Sequence, residues 1–262
     1  MSVANRAQRD FHDELADLGF ERTARGQYRR GPMRLDVENA WVSLSVPAGD
    51  APTGAPAGEL GRPGPWKVVA NGGDTIHVAD LPIRHLECSS DLDAAEYAAP
   101  RLCDVVNWAL GTWDGQAASD WEPPANAEIE AWLGARKLTI DSRHARQATL
   151  VREPGRLALS APILARVPAD LPPVRAEWLR TLLVETQRRW RMVRLGFRGG
   201  ESIGPLMAEV DFSGAPRASL ESLLTAGLAA LGCAVRWSIE PAEFLVDQNR
   251  PCRSLEICKG VK

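Results

Sequence analysis

One order of secondary-structure signals can be written twice along this chain. Helix, three strands, helix, two strands, helix fits residues 125–231, and the same order without its middle helix fits residues 3–111. A repeated order constrains a fold strongly, because each copy must bury the same faces in the same layers. It predicts an α+β protein of two similar subdomains, 1–112 and 125–262. Each is an antiparallel sheet backed by helices in α-β-β-β-α-β-β-α order, with the central helix missing in the N-terminal copy. A length of 262 residues is enough for one large domain or two small ones.

In the first half, Phe11, Leu15 and Leu18 form one apolar stripe. They predict a helix from about Asn5 to Leu18, which Gly19 ends. Phe20 to Arg30 suggests a further strand. Met33, Leu35 and Val37 alternate with Arg34, Asp36 and Glu38, the pattern of a half-buried strand, and Val42, Leu44 and Val46 form its neighbour. Pro47 to Pro65 is dense in Pro, Gly and Ala and has almost no bulky apolar side chain, so it reads as a loop. Trp66–Ala70 and Thr75–Ala79 flank Asn71-Gly72-Gly73-Asp74, a hairpin signal. A helix is predicted from about Leu92 to Leu110, with Pro100 inside it.

Gly111 to Asn126 connects the halves. A short helix, Ala127–Ala135, opens the second half, followed by a strand at Lys137–Ile140 and a hairpin of 148–152 with 156–164 around Pro154-Gly155. Pro172-Pro173 precedes the clearest helix, carried by Trp178, Leu179, Leu182, Leu183 and Trp190. Val193, Leu195 and Phe197 alternate, as do Ala208, Val210 and Phe212, giving a second hairpin. Leu220, Leu223, Leu224, Leu228 and Leu231 form the face of a last helix that Gly232 should stop. Beyond it the tail from Cys233 to Lys262 is poorly defined; Val235, Trp237 and Ile239 alternate there. Ile76-His77-Val78-Ala79-Asp80 and Met207-Ala208-Glu209-Val210-Asp211 each end a strand before a loop and a terminal helix.

This order resembles the type III secretion chaperone-like fold that YbjN-like bacterial proteins also share. The residues that carry the resemblance are Val174–Trp190, the hairpin from Arg191 to Phe212, and the helix Pro216–Leu231. In the N-terminal half, Pro47 to Pro65 stands where the central helix belongs. The resemblance implies a twisted antiparallel sheet backed by helices, and two copies that pair. Here they would be a pseudo-dimer within one chain, or a homodimer. It also implies a non-enzymatic protein that holds an extended segment of another protein.

Side-chain chemistry adds little to that. His77, His85 and Cys88 have the residue types of a zinc site, but His77 alternates away from Ile76 and Val78 and reads as a polar-face histidine. No metal site is expected, and no cofactor is implied. Cys252 and Cys258 have no second pair to complete a zinc motif, and five cysteines at irregular spacing suggest a reducing cytoplasm. Asp141, Ser142 and His144 are adjacent, whereas triad members converge from distant segments. Gly199, Gly200 and Gly204 lead to Pro205, not to the Lys and helix of a P-loop, and Gly58, Gly61 and Gly64 precede a strand. Asp36 with Glu38, and Asp13, Glu14 and Asp17, read as solvated faces.

A formal charge of −3 gives no basic field for nucleic acid, and no run of 18 apolar residues predicts a membrane span. Residues 1–13 lack the apolar core of a signal peptide. The densest charge cluster is Arg188, Arg189, Arg191, Arg194 and Arg198, interleaved with Trp190 and Phe197. Nine tryptophans are present; Trp132, Trp178 and Trp190 occupy core-like positions, while Trp41, Trp113 and Trp121 flank turns and are candidates for exposure. Exposed Trp beside Arg is hot-spot composition. The expected partner surface is therefore Arg189, Trp190, Arg194, Phe197 and Arg198. The rival expectation is a small-molecule or enzyme site between the halves.

Overall fold

The structure is a computed structural model describing residues 12–38, 41–51, 60, 63–82, 103–113, 121–133, 139–141, 146–197 and 204–247. The first half contains a helix at 12–17 (α1), strands β1 (Glu21–Ala24), β2 (Gln27–Arg30), β3 (Met33–Glu38), β4 (Trp41–Pro47), β5 (Trp66–Asn71) and β6 (Asp74–Pro82), and a helix at 103–113 (α2). The second contains α3 (Asn126–Leu133), β7 (Thr139–Asp141), β8 (Arg146–Gln147), β9 (Thr149–Glu153), β10 (Arg156–Val167), α4 (Pro173–Arg189), β11 (Arg194–Phe197), β12 (Gly204–Asp211) and α5 (Arg217–Val246). Strand and helix share the chain in the α+β manner.

The last four strands of the larger sheet and the four strands of the smaller one pair in the same order. The six-stranded sheet runs β1-β2-β3-β4-β6-β5, and the four-stranded sheet runs β9-β10-β12-β11. Each is a meander whose last two strands exchange places, and every pairing is antiparallel. The stretch from Phe20 to Arg30 forms two strands, with Gly26 at φ 71° turning the chain between them. At the β5–β6 hairpin, Gly72 and Gly73 have φ of 60° and 98°, the pair of positive values that a two-residue turn of matching twist requires.

A single apolar cluster runs through both halves. Leu15, Leu35, Val42, Leu44 and Leu81 belong to it, as do Leu157, Leu159, Phe212, Leu220 and Leu231. The tryptophans bridge the halves through their polar ends. Trp108 Nε1 donates to the Ser213 carbonyl at 2.8 Å, and Trp121 Nε1 to that of Ala215 at 3.2 Å. Trp113, expected near the surface, is 6% exposed; it packs on Trp66 at 4.5 Å and meets His77 edge-on at 5.4 Å. His77 is likewise buried instead of lying on a polar face, because α2 covers its side of the sheet.

The last helix corrects a second expectation. It passes Gly232 and Pro241 and ends at Val246, so 233–246 is helix and not strand. Val235, Ile239, Ala242 and Leu245 are buried at helical spacing, while Trp237 points away from that stripe. Tertiary packing thus outweighs the loss of one hydrogen bond at Pro241. Carbonyls at the far end need partners. Arg175 Nη1 supplies them, donating to Phe244, Leu245 and Asp247 at 3.3, 3.2 and 2.6 Å. α5 is the one described helix long and apolar enough to cross a bilayer, and 56% of that apolar window is buried within the protein.

Gly227 lets α5 lie close to β12. A Cβ there would come within 2.6 Å of the Phe212 ring and 3.1 Å of Val210. We expect Gly227→Ala to destabilise the fold by about 1–3 kcal/mol through overpacking, despite alanine's better helix propensity. Urea unfolding measures it; an unchanged or higher midpoint would contradict the packing described.

Candidate functional site

The matching sheets place two buried cations at matching positions. Lys67 on β5 lies opposite Val78 of β6, with Asp80 two residues along. Arg194 on β11 lies opposite Glu209 of β12, with Asp211 two residues along. Lys67 Nζ is 3.0 Å from Asp80 Oδ2, and Arg194 Nη2 is 4.0 Å from Asp211 Oδ1. The side-chain exposures are 2% and 8% in the first pair and 1% and 0% in the second.

Each cation also holds the other half. Lys67 Nζ donates to the Trp190 carbonyl at 3.1 Å, and Arg194 Nη2 donates to the Gly64 carbonyl. Asp211 accepts from the Gly64 amide at 2.8 Å, and Asp80 lies 3.8 Å from Arg191 Nη1. Gly64 precedes Lys67 by three residues, as Arg191 precedes Arg194. The contacts are thus reciprocal, the signature of a two-fold interface, here between parts of one chain. Arg191 adds a 2.6 Å pair to Glu38 and lies over the Trp41 ring at 5.6 Å.

The surroundings of the pairs differ. Behind Arg194, Arg156 lies 2.8 Å from Glu209 and 3.5 Å from Asp211, and Leu60 abuts Gly196, where a Cβ would be 3.0 Å from Leu60 Cγ. The segment 47–65 therefore contributes a side chain where a central helix would cover the sheet. Next to Lys67 the space is open. A cavity of about 200 Å³ is bordered by Ser43, Lys67, Val69, Asn71, Ile76, Val78 and Asp80 of the N-terminal sheet, by Gln187 and Arg188 of α4, and by Arg191 just beyond that helix.

Electrostatics separates the two carboxylates. Burial pushes the Asp80 carboxyl up, but the Lys67 charge, hydrogen bonds from Ser43 (2.7 Å) and Lys67, and Arg191 together hold it below the ordinary value. Lys67 is held below the usual lysine value by burial and by its neighbours Arg191 and Arg194, which outweigh Asp80. In Asp211 burial dominates and raises the carboxyl, despite Arg194 and the Gly64 and Ser213 amides. Burial, with Glu14 beside it, also pushes the Cys103 thiol well above the usual range, so it is not an activated nucleophile.

The residues expected at a partner surface separate. Arg194 is enclosed between the halves and offers nothing to a partner, because a strand-borne cation here neutralises Asp211. Arg189 is exposed on the end of α4, with its guanidinium 4.1 Å from the Trp237 ring and 5.8 Å from that of Trp190. Phe197 is half-buried on β11, and Arg198 lies outside the described residues. So do His85, Cys88, Ser142, His144, Gly199, Gly200, Cys252, Cys258, Gly58 and Gly61. Among the described residues no group of three metal-binding side chains converges, and Asp80 and His77 face opposite sides of β6. The sequence reading overlooked Lys67, Arg156 and Gln187. The one signal it carried was the shared Asp ending both strands, Asp80 and Asp211.

No family model, curated protein or solved structure matches the chain.

Asp80→Asn would leave Lys67 buried without a counter-charge. We expect a loss of about 3 kcal/mol at pH 7. Because Asp80 titrates below its unfolded value, that loss is present above pH 3.8 and fades as the pH falls further. Thermal melts of both proteins from pH 7 to pH 3 test this; a gap that widened in acid would refute the assignment.

Proposed function

We propose that this is a non-enzymatic, chaperone-like protein of the cytoplasm that binds another protein through an extended, acidic segment. The reading is supported by one observation above others: two sheets that share a four-strand pairing order meet through reciprocal contacts, as two chaperone-like units paired in one chain would. Such a scaffold presents helix ends and sheet surfaces without requiring catalytic geometry.

The recognition surface in this reading is the end of α4 with the outward face of α5: Arg189, Trp190 and Trp237, flanked by Phe197. A guanidinium stacked on indole keeps a charge and an aromatic face available together, which is hot-spot chemistry. Among the described residues Val174, at 60%, is the exposed large apolar side chain. An acidic partner suits the arginines of this surface. A second reading, a small-molecule site between the halves, is favoured by the cavity beside Lys67 and Asp80.

Arg189→Glu tests the first reading. Tagged wild type and variant are used for capture from the native host's lysate, with circular dichroism confirming the fold. We expect a stoichiometric protein on the wild type and at least ~30-fold weaker retention on the variant, a hot-spot loss of about 2 kcal/mol. Equal recovery would remove this surface as the site, and no specific protein on either would sink the protein-binding reading.

A further inference from the structure

The two matching positions differ in charge balance, and the difference points to a ligand. In the C-terminal half, Arg156 and Arg194 face Glu209 and Asp211, two cations against two carboxylates. At the N-terminal sheet, Lys67, together with Arg188 and Arg191 brought over from the second half, borders the cavity with Asp80 as its one carboxylate, three against one. Glu38, which pairs with Arg191 from outside the cavity, reduces the excess without removing it. The position matching Glu209 is Val78, which lines the cavity wall. A carboxylate present in one half is therefore missing from the other, and a void stands there.

Unspent hydrogen-bonding capacity lies in residues that border the same void. Lysine carries three N–H donors, and Lys67 directs two of them to Asp80 and Trp190. Arg191 Nη1 is enclosed and makes no hydrogen bond, and it lies 3.8 Å from Asp80 Oδ1. Gln187 Oε1 is enclosed and unpartnered as well; its amide can present either a donor or an acceptor. Arg188 is exposed at the mouth, with no ion-pair partner among the described residues. Enclosed donors left without acceptors are costly unless something fills the space.

We propose that this cavity binds a small oxyanion, a phosphate- or carboxylate-bearing molecule, whose charged group takes the place that the Glu209 carboxylate holds in the other half. Arg191 and Lys67 donate from the floor and Arg188 closes over the mouth. The volume, about 200 Å³, lies below the ~300 Å³ at which pockets for drug-sized molecules begin, so the ligand is small. This site is separate from the Arg189–Trp237 surface and does not depend on a protein partner.

Titration calorimetry of the full chain tests it, with inorganic phosphate in one arm, succinate in another, and sodium chloride at matched ionic strength as the reference. We expect one saturable site for phosphate or succinate, and none for chloride. Arg188→Gln, an exposed substitution that leaves the fold alone, should weaken it roughly tenfold, the loss of a charge-assisted contact. Val78→Glu, which supplies the missing carboxylate, should abolish binding. Saturation by neither probe, or equal affinity in wild type and Arg188→Gln, would overturn the proposal even if Val78→Glu fails to fold.

Discussion

The buried cation of each sheet, shared between its own carboxylate and the other half's backbone, is the constraint on which this architecture depends. Lys67 cannot be enclosed without Asp80, nor Arg194 without Asp211, because an unpaired buried charge is more costly than any packing gain nearby. Each cation then has donors left over. The carbonyls of Trp190 and Gly64 take them, and those carbonyls belong to the opposite half. The relative placement of the halves is thereby fixed by hydrogen bonds with direction, whereas the shared apolar cluster alone would tolerate sliding.

The two sides of the interface between the halves are built differently. α4 ends over the N-terminal sheet and brings Gln187, Arg188, Trp190 and Arg191 to the Lys67 side. On the opposite side Gly64 and Leu60, from the segment in the place of the missing helix, reach the Arg194 side. Arg156 and Glu209 fill what remains there with charge that balances internally. On the Lys67 side Val78 and Ser43 are too small to do so, and a cavity persists. One half is thus closed by its own side chains, and the other is left with donors in excess.

Much of the strand layout was legible because alternation and turn chemistry are local. Met33, Leu35 and Val37, or Asn71-Gly72-Gly73-Asp74, specify their conformations within a few residues. The end of α5 was not legible. Val235, Trp237 and Ile239 satisfy a period of two, while Val235, Ile239 and Ala242 satisfy a helical one, and burial decides between them. The site was less legible still. Arg194 looked like part of a surface run with Arg189 and Arg191, yet these residues lie on the end of a helix, in a turn and in a strand, and only the strand residue is enclosed. Lys67, next to Trp66, carried no signal, because nothing nearby in sequence announces that α4 covers that face.

The sequence by itself determined most of the elements, their order and the α+β class. These follow from hydrophobic period, turn residues and helix stops, all short-range properties of a chain. It also placed an aspartate at or near the end of β6 and of β12, Asp80 and Asp211. Only the tertiary structure decided that these aspartates meet buried cations and that the halves grip each other reciprocally. It alone left a void beside one pair and not the other. Such facts depend on which residues, far apart along the chain, are enclosed from water together, since the energy of a charge depends on what surrounds it and not on its position in the sequence.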